Sequence, residues 1–103
     1  MAELSVESRR MSDDAVLTLA GELDLSTVAQ LRLAVTDALG QNPTRIVLDF
    51  TGVTFCDSQG LSTLIGLSRD LTAQKCEFVL TNLGDFLLRL LEITGLRPAF
   101  QIE

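Results

Sequence analysis

Apolar and polar residues alternate over Glu3 to Ser8 and again over Ala15-Val16-Leu17-Thr18-Leu19-Ala20. That period of two predicts strands with one buried side. The polar segment Met11-Ser12-Asp13-Asp14 between them is short enough for the two to pair antiparallel. Gly21-Glu22-Leu23-Asp24 breaks the alternation, and Ser26 is placed to cap a helix. From Thr27 the period lengthens: Val28, Leu31, Val35 and Ala38 or Leu39 fall on one apolar stripe. Gly40 ends this helix, and Asn42-Pro43 prevents its continuation. Arg45-Ile46-Val47-Leu48-Asp49-Phe50 is nearly continuously apolar, which predicts an interior strand covered on both faces.

Thr51 to Cys56 reads as a connection, and Asp57-Ser58-Gln59-Gly60 opens a second helix over 58–72. Leu61, Leu64, Ile65, Ser68 and Leu71 share its inward face, whereas Ser58, Ser62, Gly66 and Arg69 lie close to one outward line. Leu33 and Leu67 fall off their stripes. Cys76 to Leu80 reads as a fourth strand. Asp85 begins a third helix with Phe86, Leu87, Leu90, Leu91 and Ile93 or Thr94 turned inward, closed by Thr94-Gly95-Leu96-Arg97-Pro98. Phe100 and Ile102 form a short last strand. The order ββαβαβαβ predicts an α/β fold, with a mixed, mostly parallel sheet of about five strands and three or more helices. One domain spanning 1–103 is expected.

The 103 residues suit a single domain, and 47% apolar content is enough for one core. The formal net charge of −6 repels phosphate backbones and anionic lipid, so direct nucleic-acid binding and membrane insertion are not expected. Histidine is absent. Its absence removes the Ser-His-Asp and Cys-His arrangements and most zinc and haem sites, and no cofactor is expected. If the third and fourth strands are parallel neighbours, Cys56 and Cys76 lie at opposite ends of the sheet, too far apart to bridge, and they read as buried free thiols. No basic-then-apolar leader precedes the first strand, and the run Phe86 to Leu91 is about half the length of a membrane span. A cytoplasmic, thiol-reduced protein is expected.

The informative chemistry lies between Phe50 and Leu61. Asp57 is a preferred N-cap, Ser suits a first turn and Gly60 allows close packing, so capping alone accounts for the segment. Alternatively, Ser58 is an exposed hydroxyl at a helix N-terminus, where free N–H groups would stabilise a phosphate. Nearby carboxylates, Asp57 with Asp24 and Asp49 as candidate neighbours, fit a covalently modified serine better than a bound nucleotide. A nucleophilic role lacks its base: Lys75, the sole lysine, follows the helix that Ser58 begins, about four turns away. Its position before a strand also excludes a receiver-type phosphoryl-accepting Asp57. No phosphate-binding glycine loop occurs.

Leu19-Ala20-Gly21-Glu22-Leu23-Asp24, Ile46-Val47-Leu48-Asp49-Phe50, Phe55-Cys56-Asp57-Ser58-Gln59-Gly60-Leu61 and Leu91-Glu92-Ile93-Thr94-Gly95-Leu96 together resemble the STAS domain, most closely bacterial anti-sigma factor antagonists. The resemblance implies a non-enzymatic switch. Its unphosphorylated form binds an anti-sigma factor that is also a serine kinase, freeing a sigma factor. A serine phosphatase reverses the modification. By position the phosphorylation site is Ser58, with Glu22, Asp24, Asp57 and Gln59 beside it; Ser62, Gly66 and Arg69 extend the expected partner surface along the helix. Gln59 departs from the Ser or Thr more common there, which bears on kinase specificity. The alternative implied role is a non-phosphorylated adaptor in a lipid-transport or stress-signalling complex.

Overall fold

The computed structural model describes residues 3–103. Strand β1 (Leu4–Met11) turns at Ser12 and runs back as β2 (Asp14–Leu23), with Met11 opposite Asp14. Helix α1 (Val28–Leu39), strand β3 (Arg45–Cys56), helix α2 (Ser58–Ala73) and strand β4 (Glu77–Thr81) follow. Helix α3 (Asp85–Thr94), a single 3-10 turn (Arg97–Ala99) and the two-residue β5 (Gln101–Ile102) complete the chain. The sheet has the order β1-β2-β3-β4-β5; only β1–β2 is antiparallel. This is the mixed, mostly parallel five-stranded sheet that the patterning predicts.

Coverage of the sheet is one-sided, which corrects the reading of β3. The crossovers through α1, α2 and α3 all step the same way across the sheet, so right-handed connections put all three helices on one face. Ile46, Leu48 and Phe50 are buried there, together with Ala15, Leu17 and Leu19 of β2 and Phe78 and Leu80 of β4. Their neighbours Arg45, Val47 and Asp49 turn to the open face and are only partly buried. A run that looked continuous thus alternates, because Val47 is an apolar residue on the solvent side.

β3 is also longer than its apolar run. Its pairing with β4 ends at Asp49↔Thr81, but it continues beside β2 as far as Leu23↔Cys56. Register shifts between Thr18 and Ala20 and between Gly21 and Glu22 insert extra β3 residues. Each such bulge flips the alternation. Val53 is therefore buried, whereas Thr54 and Phe55 face out. The β2–β3 pair projects past the rest of the sheet, and α2 starts from its tip.

Leu67 is buried, not off the stripe, because α2 packs on α1 as well as on the sheet. Val35 and Leu39 of α1 face Leu67 and Leu71 across a groove between the two helices. Ile65 and Ser68, by contrast, are only half-buried. Helix α3 buries just Leu87 and Leu91 against the short edge of the sheet, leaving Phe86 and Ile93 exposed where the pattern had them inward. Both cysteines are buried and free. Desolvation, reinforced by the Asp57 charge, pushes the Cys56 thiol up to about 12, so it stays protonated and inert.

Candidate functional site

Asp57 joins strand to helix in an extended conformation, and its Oδ1 accepts the Gly60 N–H at 2.9 Å. Its other carboxylate oxygen accepts the Leu25 N–H at 3.4 Å. One side chain therefore closes the first turn of α2 and ties it to the loop after β2. The backbone makes the same link: the Asp57 N–H donates to the Leu23 carbonyl at 3.1 Å. Gly60 fits against this junction because it has no side chain. A Cβ there would lie 2.7 Å from the Leu23 carbonyl oxygen and 2.8 Å from the Cys56 Sγ.

Ser58 follows the cap as the first helical residue and is exposed. Its hydroxyl has no hydrogen-bond partner among the described residues. At this position the N–H groups of Ser58 and Gln59 have no intrahelical acceptor, so the hydroxyl sits at the positive end of the helix dipole. Ser62 and Arg69 are exposed further along α2. A Cβ at Gly66 would meet nothing within 4 Å. The four positions thus form an open strip with no bulky side chain before Arg69.

The loop between β2 and α1 forms the other wall. Asp24 Oδ1 accepts the Ser26 hydroxyl at 2.7 Å and the Ser26 N–H at 2.9 Å. These bonds from Ser26, with weaker help from Thr27, hold the Asp24 carboxyl below its usual range. Ser26 is not the helix cap expected from its spacing; that position belongs to Thr27. The Thr27 hydroxyl is buried, donates to the Glu22 carbonyl at 2.8 Å and accepts the Asp24 N–H at 3.0 Å. It fastens the end of β2 to the start of α1.

Thr27 is therefore a positioning residue. Thr27→Val keeps the shape but leaves one N–H and one carbonyl without a partner, at an expected cost of about 2 kcal/mol. On the scale for a domain of this size that lowers Tm by roughly 10 °C. Thr27→Ser should recover most of the loss, a rescue that thermal melts of the three proteins would show.

Glu22, Asp24 and Asp57 all lie at this end of the β2–β3 pair, and none forms an ion pair among the described residues. Asp49 does not join them. It sits seven residues before Cys56, roughly 20 Å down the strand. There its carboxylate accepts from Thr51 at 2.6 Å and from Asn82 at 3.1 Å. Burial pushes Asp49 up, but these bonds and the field of Arg9 outweigh it and leave its pKa lowered.

The family model described as "Mlab, STAS domain" matches residues 6–98. The anti-sigma-B factor antagonist of Listeria monocytogenes is 32% identical over 101 residues, covering 97% of this chain and 89% of that protein. The chain belongs to the STAS family. A second relative, the anti-sigma-F factor antagonist RsfB of Mycobacterium tuberculosis, is 34% identical over 85% of this chain and 71% of its own length. Among solved structures, the anti-sigma factor antagonist SpoIIAA in its unphosphorylated form superposes with a TM-score of 0.77 at 27% identity, covering 96% of this chain and 88% of that one. The phosphorylated form of Bacillus SpoIIAA gives 0.71 at 27% identity, covering 96% and 91%.

Within this STAS domain the sequence-derived residues fall into two groups. Glu22, Asp24, Asp57, Ser58 and Gln59 share the tip where β2, β3, α1 and α2 meet; Ser62, Gly66 and Arg69 lead away from it along α2. Sequence reasoning passed over three residues at the same end. Thr27 looked like an ordinary first helical residue, although a Thr just ahead of an apolar stripe was the available signal. Leu25 lies in no motif and Phe55 only opens the Phe55–Leu61 motif without being singled out; their exposure arises from the loop and the bulges.

Proposed function

We propose that this chain is an anti-sigma factor antagonist: a binding module, not an enzyme, whose unphosphorylated form captures an anti-sigma factor and is released by phosphorylation of Ser58. The observation that carries this reading is the state of Ser58. It is exposed and unbonded, sits at a helix N-terminus, and is held on a rigid junction by the Asp57 cap. Among the described residues no cluster of metal ligands accompanies it.

Phosphate at Ser58 adds about −1.5 to −2 charges. The helix dipole offsets this by ~0.3–1 kcal/mol and by ~2 kcal/mol at most, so folding tolerates the group. A partner packed over the same turn would have to accept that charge beside Asp57, Asp24 and Glu22, where like-charge and desolvation conflicts cost several kcal/mol. The modification is therefore close to neutral for the fold and hostile to the complex.

Incubation with the cognate anti-sigma kinase and ATP should add one phosphate per chain, on Ser58. Ser26 is held against Asp24, and Ser62 lies a turn inside the helix, so neither should react. Intact-mass measurement of the parent and of Ser58→Ala provides the check. A mass shift persisting in Ser58→Ala would assign the wrong hydroxyl. A parent chain that binds a partner yet never accepts phosphate would favour the adaptor role instead.

A further inference from the structure

Two of the large apolar side chains that this domain leaves in solvent stand at the switch end: Leu25 is 70% exposed and Phe55 is 46% exposed. We propose that Leu25 and Phe55 are the apolar anchors by which the anti-sigma factor docks, so that its footprint crosses the β2–β3 tip instead of stopping at α2. This inference rests on the reading of Ser58 given above.

Single exposed apolar residues are ordinary on protein surfaces. These two differ in how they are held. The Leu25 N–H is bonded to the same Asp57 carboxylate that caps α2. Its loop is further locked by the Thr27 and Val28 N–H groups, both donating to the Asp24 carbonyl at 3.0 Å. Phe55 is fixed in β3 opposite Glu22, turned out beyond the last bulge. Backbone already ordered in the free protein loses little entropy on binding, which suits an anchor.

The surroundings specify the partner. Asp24 precedes Leu25 and the Asp57 carboxylate holds its N–H, while Glu22 stands opposite Phe55 in the strand register. None of the three carboxylates forms an ion pair among the described residues. Apolar anchors inside a polar rim are the anatomy of a protein docking surface. Acidic neighbours of this kind complement an apolar pocket edged by Arg or Lys. They also place the anchors where phosphate on Ser58 adds to charge of the same sign.

The test is calorimetric titration of the purified cognate anti-sigma factor with the parent, Leu25→Ala, Phe55→Ala and Leu33→Ala. Leu33 is an exposed residue of α1 on another part of the surface and serves as the control. Thermal melts accompany the titrations; solvent-exposed truncations should leave Tm nearly unchanged, which separates lost contact from lost fold. Leu25→Ala and Phe55→Ala should each weaken binding tenfold or more, about 1.4 kcal/mol, with Leu33→Ala unchanged. If the parent binds, loses binding on Ser58 phosphorylation, and both truncations bind like the parent, the anchors are overturned while the switch stands. If the parent itself does not bind the anti-sigma factor, the switch and the anchors fall together.

Discussion

Ser58→Asp is expected to fold normally and to lose ~2 kcal/mol or more of binding to the anti-sigma factor, a drop in affinity of roughly thirtyfold. Its fold is safe because a carboxylate in the first turn of a helix suits both capping and the dipole. The melting temperature should therefore move by only a few degrees, corresponding to ~1 kcal/mol or less. Binding has no such tolerance. The new charge stands next to Asp57, whose carboxylate is already occupied by the Gly60 and Leu25 N–H groups and cannot turn away without opening the junction. Complex formation would then have to desolvate the added carboxylate or set it against the partner surface. Ser58→Ala, which adds nothing, should fold and bind. Asp carries less charge than phosphate and fewer acceptor oxygens, so the phosphoprotein should show the larger loss. Titrating the parent, both variants and the phosphoprotein against one anti-sigma factor decides the matter. Equal affinity of the phosphorylated and unmodified proteins would remove the switch.

Two glycines of the same helix should respond to alanine with opposite signs. At Gly60 the added methyl would sit 2.7 Å from the Leu23 carbonyl and 2.8 Å from Cys56 Sγ. The carbonyl cannot yield, since it accepts the Asp57 N–H that joins strand to helix. Gly60→Ala must push α2 off the β2–β3 tip, an overpacking cost of ~1–3 kcal/mol, and at the upper end Tm falls by roughly 15–20 °C. The displaced helix start carries Ser58 with it, so phosphorylation should slow as well. At Gly66 a methyl enters open space and removes the entropic cost of glycine within a helix. Gly66→Ala should therefore stabilise the domain by ~0.5–1 kcal/mol. Thermal melts distinguish the two cases directly. A stabilised Gly60→Ala would show that the junction is looser than its geometry indicates.

Local chemistry was enough to mark the start of the second helix as a candidate site, and the family resemblance singled out its serine. Asp57, Ser58 and Gly60 announce a capped helix start through residue type alone, because capping and glycine packing act within three or four residues. The element order was legible for the same reason: apolar periods of two and of 3.6 are properties of single elements. Errors arose wherever the environment of an element came from elsewhere in the chain. Leu67 looked superfluous on a helix that faced only a sheet, and became core once α1 supplied a second surface. Phe86 and Ile93 fit an inward stripe, but the sheet edge beneath α3 is too short to cover them.

By itself, the sequence determined that this chain is an acidic α/β domain without histidine, with a serine at the start of its second helix. Periodicity, capping and charge are encoded in neighbouring residues and survive without knowledge of the fold. Only the tertiary structure decided what surrounds that serine. Parallel pairing brought the Glu22–Leu25 segment beside Asp57, more than thirty residues away in the chain, and two bulges turned Phe55 outward. The same packing left Asp49 far down its strand and kept one face of the sheet open. These outcomes depend on register and crossover direction, which are set by contacts between distant segments. No short stretch of sequence contains them.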